Sequence, residues 1–313
     1  MEKLIVSTSP HIRHKATTST IMGDVIIALL PATAAATFFF GFKALLMIAV
    51  CVGCSVISEY LFNLICKKKQ TVGDLSAIVT GLLLALNLST RVSLWQCAVG
   101  SVFAIVVVKC LFGGIGHNFA NPAATARVFL LVAFSGSVAG GAFANFAEIT
   151  SSATPLAIIK AGGSNLPPLA HMFLGNIGGA IGETSSLCLL LGFVYLLIRR
   201  VINWQTPVIF VGTVFVLSLI IKQDITVALY SVLGGGLLLG AIFMATDYST
   251  TPINKRGKAV FALGCGILTV LIRFWGSYPE GVSFAILIMN ILAPYIERLT
   301  AKRPFGGAKN GKK

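Results

Sequence analysis

Two sets of residues in this chain have types and spacings suited to chemistry. The first is Ser151-Ser152-Ala153-Thr154-Pro155, which lies in the longest polar interruption, 139–176, of an otherwise apolar sequence. Small residues and a proline make this a turn that presents hydroxyls. The Ser and Thr side chains can bond their own backbone, and Pro155 fixes the direction in which the chain leaves. The same five residues also read as an ordinary Ser/Thr-Pro loop. The second set is the few acidic residues inside or near apolar runs: Asp24, Glu59, Asp74, Glu183 and Asp247. Taking a carboxylate out of water is costly, so each needs a reason to be there. Asp24 and Asp74 stand where apolar runs begin and read as helix caps or interfacial groups. Glu59, Glu183 and Asp247 stay open between a structural role and the handling of ions or protons.

Other chemistries find no support in the spacing. Cys51-x-x-Cys54 sits inside an apolar run, where small thiols read as packing residues. An iron–sulfur site needs four converging ligands, and the seven cysteines offer no such spacing. The four histidines show no pairing on one helix face, and no GxxxxGK[ST] loop is present to cradle a nucleotide phosphate.

The elements that position these residues follow from composition. The chain has 313 residues, 56% hydrophobic and 11% charged, with mean hydropathy +0.89. Soluble domains carry about twice that charge. Apolar runs recur along the whole length, which predicts an all-α polytopic membrane protein. Ten spans are expected, at 22–40, 44–66, 72–88, 94–111, 122–138, 177–198, 206–221, 225–246, 259–274 and 282–296. Residues 1–21 read as a polar, basic N-terminal segment with no cleaved leader. Residues 22–301 form the membrane domain, with the 139–176 loop on one side, and 302–313 form a basic tail.

Charge orients these spans. Sorting Lys and Arg onto alternate sides places 19 on the side of both termini and 5 on the other. Such a bias predicts both termini in the cytoplasm and the 139–176 loop outside, so the net charge of +14 needs no nucleic acid to explain it. The third and fifth spans are short and broken by Gly73-Asp74 and by the glycine-rich stretch leading to Asn121-Pro122. Gly178-Gly179 and Gly182 open the sixth, and Gly234-Gly235-Gly236 interrupts the eighth. Interrupted segments of this kind line cavities rather than face lipid. Five spans per half would relate the halves by inversion, although no residue-by-residue repeat is visible.

Four motifs in order carry a resemblance that covers nearly the whole chain. They are Asn118-Phe119-Ala120-Asn121-Pro122-Ala123, Ser151-Ser152-Ala153-Thr154-Pro155, Gly182-Glu183-Thr184-Ser185, and Met244-Ala245-Thr246-Asp247 followed by Thr251-Pro252 and Lys255-Arg256-Gly257. Together they resemble the family of the D subunit of the Rnf complex and the B subunit of the sodium-translocating NADH:quinone oxidoreductase. The short N-terminal region resembles the Rnf branch, an ion-translocating ferredoxin:NAD oxidoreductase. The resemblance implies FMN joined to Thr154 through a phosphoester, with Ser151, Ser152 and Ala153 as the rest of the attachment motif. It also implies a non-covalent riboflavin and a one-electron relay coupled to Na⁺ or H⁺ movement across the bacterial inner membrane. Expected partners are the other Rnf subunits, including an outer FMN-bearing one, and a flavin transferase for maturation. Arg127 and Asn121 become candidates for flavin contact, although Arg127 could equally face a phosphate or a lipid headgroup. Glu59, Glu183 and Asp247 become candidates for the ion pathway. A secondary transporter or channel without a redox cofactor is the alternative.

Overall fold

A computed structural model describes residues 16–138, 142–145, 148–151, 154–163, 166–175, 177–183, 185–276, 278 and 280–301, with 142–145 and 148–151 described by their backbone alone. The basic tail 302–313, most of the N-terminal segment, and Ser152 and Ala153 lie outside the described residues.

The chain begins with α1 (Thr18–Ile65), whose start is fixed by a reciprocal cap between Thr17 and Thr20. At 1.5 Å per residue, 48 residues would extend about 72 Å, more than two bilayer cores. Gly41 divides it: its φ of 67° and ψ of −157° are outside the helical region, and that φ favours glycine. The expected first and second spans therefore meet end to end at one residue. Three helices press on α1, namely α2 (Ser76–Leu86), α3 (Leu94–Val102) and α8 (Ser186–Ile198). Two approaches leave no room for a side chain. A Cβ on Gly81 would fall 2.7 Å from the Cys51 carbonyl, and one on Gly192 would fall 2.3 Å from the Ala28 carbonyl.

The short segments are the ones the glycines and prolines foretold. Every residue of α2 except Ile78 is buried. It is about 16 Å long, half of a bilayer core. α3 runs on as a π-helix over Phe103–Cys110. α4 (Pro122–Ala133) starts on Asn121, whose Oδ1 accepts from the amides of Ala123 and Ala124, both at 3.1 Å. Pro122 at the first helical position has no N–H to leave unpaired. The segment expected to span 177–198 becomes helical only at Ser186, capped by Ser185, and its described residues 177–183 are not helical. Those residues instead pair with the chain after α2: the Ile181 amide donates to Leu88 O at 2.9 Å and the Gly182 amide to Leu86 O at 2.8 Å.

After α4 come one helical turn, α5 (Ser135–Val138), and an antiparallel hairpin, β1 (Ala142–Asn145) with β2 (Glu148–Ser151). Among the described residues the regular elements are thus helices apart from this one hairpin, where the polar loop between apolar segments pairs its backbone with itself. Two short helices follow, α6 (Pro155–Lys160) and α7 (Leu169–Leu174). The remaining elements are α9 (Gln205–Lys222), α10 (Ile225–Leu233), α11 (Leu237–Leu239) with a π-helical extension to Met244, α12 (Lys255–Trp275) and α13 (Val282–Thr300).

By length and apolarity, α1, α9, α12 and α13 could each cross a membrane. The pair Ile225–Leu233 and Leu237–Met244, bent by 58° at Gly234-Gly235-Gly236, would make a fifth. α2, α4 and α8 are too short to do so by themselves. The outside of the bundle is apolar: Phe42 is 72% exposed, Ile198 75% and Leu299 86%. Such a surface has lipid as its natural solvent. Several apolar helices with this outward face make the chain a multi-pass membrane protein.

Candidate functional site

Thr154 is not in an open turn. It caps α6, with extended backbone (φ −64°, ψ 151°) as the following proline requires, and its Oγ1 accepts from the Ala157 amide at 3.3 Å. The residue is 6% exposed. An apolar cluster of Leu156, Ile159, Met172, Ile177 and Tyr230 pins α6 and α7 onto α10, and the Tyr230 hydroxyl donates to the Pro167 carbonyl. Thr154 and Pro155 then close one wall of a small cavity whose other walls include Gly179, Gly235, Glu183 and Glu280. Ser151 ends β2, and Pro155 begins α6.

Behind that cavity is a buried charge cluster. Arg127 projects from the second turn of α4 and is 6% exposed. Its Nη1 donates to Asn87 Oδ1 at 2.9 Å and to Glu183 Oε1 at 3.1 Å, and its Nη2 pairs with Glu280. Asn87 ends α2, Glu183 precedes α8, and Glu280 precedes α13. One guanidinium thus ties three segment ends together. A planar fork with five donors suits this task, and a lysine could not reproduce it. A second arginine, Arg273 near the end of α12, is 4% exposed and donates to the carbonyls of Ser231, Gly234 and Gly235. It satisfies the carbonyls left free where α10 breaks, and its charge favours that helix C-terminus. Its Nε has no acceptor among the described residues.

The start of α4 borders a larger, partly open cleft, with Asn118, Asn121, Asp247 and Lys109 on its polar walls and Val25 and Phe243 among the apolar ones. Asn121 caps α4 and its amide reaches the Met244 carbonyl at 3.4 Å, so it joins the two halves of the chain. Asn290, oriented to satisfy both its groups, accepts from the Asn121 amide and donates to Thr250 O. Asp247 accepts from the amide and hydroxyl of Ser249 and from Thr250, which makes it the organiser of its own turn. The Asn118 Oδ1 is buried and has no donor among the described residues.

Glu59 is already neutralised. Lys109 donates to both its carboxylate oxygens at 2.8 Å and to Ser76 Oγ, while Thr71 adds a bond to Oε1 at 2.6 Å. The π-helical turn of α3 carries Lys109 into this position. Of the two readings of Asp24, cap or interfacial group, the structure removes the first. Asp24 is not a cap but sits in the second turn of α1, where it accepts from Tyr195 at 2.9 Å and from Arg199 at 3.2 Å. Asp74 is not the N-cap of α2 either: Leu75 holds that place, and the Asp74 carboxylate, one residue earlier, accepts from the Ser76 amide at 2.9 Å.

The structure therefore separates the residues that the sequence grouped. Thr154 and Glu183 line one cavity, with Arg127 bonded to Glu183, whereas Asn121 and Asp247 line the other cleft with Lys109, the partner of Glu59. Arg127 and Asn121 are about 9 Å apart along α4. Sequence reasoning missed Asn87, Lys109, Arg273 and Glu280. Lys109, inside an unbroken apolar run, was a visible signal that the loop count absorbed. With Lys109, Arg127 and Arg273 taken out of the loops as buried groups, the charge bias remains 17 to 4.

Half-length helices, glycine breaks and buried arginine–carboxylate clusters define a polytopic membrane protein built around cavities between broken helices. The chain belongs to the NQR2, RnfD, RnfE family, whose description matches residues 5–306. It is 47% identical over 309 residues to the D subunit of the Na⁺-translocating ferredoxin:NAD⁺ oxidoreductase complex of Acetobacterium woodii, covering 98% of this chain and 96% of that one. It is 38% identical over 317 residues to the D subunit of the proton-translocating ferredoxin:NAD⁺ oxidoreductase complex of Clostridium ljungdahlii, covering 96% of each chain. It is also 38% identical to the D subunit of the ion-translocating oxidoreductase complex of Stutzerimonas stutzeri, covering 93% of each.

Proposed function

We propose that this chain is the D subunit of an Rnf-type ferredoxin:NAD oxidoreductase, acting as an enzyme only within that complex and bearing FMN on Thr154. The observation that carries the reading is the position of Thr154, which lines a small cavity walled by Gly178, Gly179, Gly234 and Gly235. Glycine walls let a flat ring approach the backbone closely. FMN bound there would supply one-electron chemistry. The chain's own residues do the rest. Thr154 Oγ1 provides the ester oxygen, Pro155 holds it in the extended conformation a modifying enzyme can grip, and α6 seats it against the bundle. A flavin transferase is required, and the remaining Rnf subunits, one an outer FMN carrier, are the electron partners.

A second, non-covalent flavin suits the larger cleft, where Asn118 Oδ1 offers an unused acceptor beside apolar walls. The charge bias supports cytoplasmic termini in the bacterial inner membrane, with Thr154 outside. The same reading takes the four long helices, the bent pair and the shorter apolar helices together as ten segments in two inverted halves. In support, Lys109 on the fourth segment of the first half donates to the third, and Arg273 on the fourth segment of the second half does the same at the other end of the bundle. Peptide mass spectrometry on protein made with the transferase tests the central point. A fragment holding Thr154 should carry FMN less one water. An unmodified Thr154 would restore the transporter reading.

A further inference from the structure

Glu183 and Glu280 approach Arg127 from two different segments, and both line the cavity closed by Thr154. The charged groups around them come from three further elements. Arg127 projects from α4. Arg273, on α12, is committed to backbone carbonyls of the α10 break. Lys160, on α6, is committed to the carbonyls of Gly276 and Tyr278. Two arginines and two glutamates balance in the interior, so a further negative charge at the cavity meets no uncommitted cation among the described residues. Added charge in a poorly solvated site acts strongly on nearby carboxylates, and protonating one of them removes the repulsion at the least structural cost. The pair is built for this. Glu183 is 5% exposed and held from behind by Gly236, where even a Cβ would fall 2.3 Å from its Oε1. Glu280 is 19% exposed and is the member within reach of water.

We propose that Glu183 and Glu280 together are the proton acceptor of the Thr154 site, taking up one proton when the cofactor on Thr154 gains one electron and releasing it when that electron leaves. The inference rests on the flavin reading of Thr154. The electron comes from the preceding one-electron carrier of the complex and passes to the next. The proton comes from water at Glu280, where an O–H bond forms on a carboxylate oxygen and breaks again on re-oxidation. Arg127 stays paired with the carboxylate that remains ionised.

The test is potentiometric and infrared titration of the full chain, purified after production with its flavin transferase. One proton per electron moves the midpoint potential by about 59 mV for each tenfold change in proton activity. The wild type should show this slope, and Glu183→Gln and Glu280→Gln should flatten it. The reduced-minus-oxidised infrared difference spectrum should show a protonated carboxyl band that survives in Glu297→Gln, a change near the end of α13 outside this cavity, and disappears in the Glu183→Gln, Glu280→Gln double variant. The wild-type spectrum is decisive even where a variant fails to fold. A modified Thr154 without that carboxyl band, or with a potential that follows Na⁺ rather than pH, overturns this inference alone. An unmodified Thr154 in the mass spectrum overturns the flavin reading and this inference with it.

Discussion

Glu59 and Lys109 meet at 2.8 Å with side chains only 1% and 2% exposed, and the bond links α1 to the π-helical end of α3. Ser76 at the start of α2 shares the same ammonium, so three segments are fastened by one buried pair. The pair's role follows from what removing half of it would do.

Lys109→Met or Glu59→Gln leaves an unmatched polar or charged group in the interior. Breaking a buried pair by one partner costs about 3–5 kcal/mol. Each single variant should therefore lower the thermal midpoint in detergent markedly. Glu59→Leu combined with Lys109→Met should recover much of the loss, because two apolar groups leave nothing unpaired. A Glu59→Gln protein as stable as the wild type would show that the pair does not fasten these helices.

Gly236 has a φ of 64° and touches the Glu183 carboxylate. Gly236→Ala should be destabilising by about 1–3 kcal/mol from backbone strain, with further loss from displacing Glu183 off Arg127. Gly212 on α9 is the control: nothing lies within 4 Å of a Cβ there. Gly212→Ala should be neutral or stabilising by up to about 1 kcal/mol. Thermal unfolding of the two proteins side by side decides it, and equal midpoints would refute the clash.

Thr154 does two jobs that substitution can separate. Thr154→Ala loses the cap of α6, worth about 1 kcal/mol, along with the ester oxygen. Thr154→Asn keeps a capping side chain and has no hydroxyl. Both should lack the flavin fluorescence of the denatured band in a gel. Only the alanine variant should show faster proteolysis near α6. Thr154→Ser should retain partial fluorescence. Fluorescence persisting in Thr154→Asn would place the flavin elsewhere.

Orientation is testable by fusion. Reporters active only in the cytoplasm should work after Lys69 and fail after Ser164, because the basic loops stay inside. The opposite pattern would put Thr154 on the cytoplasmic side and exclude an outer electron partner for it.

The sequence by itself determined the class of this protein. Apolar runs of membrane length, few charges and a strong Lys/Arg bias need no tertiary contact to be read, because lipid acts on each segment separately. Glycine and proline marked the broken segments for the same local reason, and Gly234-Gly235-Gly236 and Asn121-Pro122 fall where the helices break and begin. Only the tertiary structure decided which polar groups meet. Glu59 and Lys109 are 50 residues apart, and Arg127 and Glu280 are 153 apart. No periodicity encodes such pairings, which follow from how half-length helices stack. The same holds for Thr154. Its motif was legible as a hydroxyl-bearing turn, but its burial as the cap of α6 depends on α6 and α7 packing on α10, a contact between segments more than fifty residues apart in the chain.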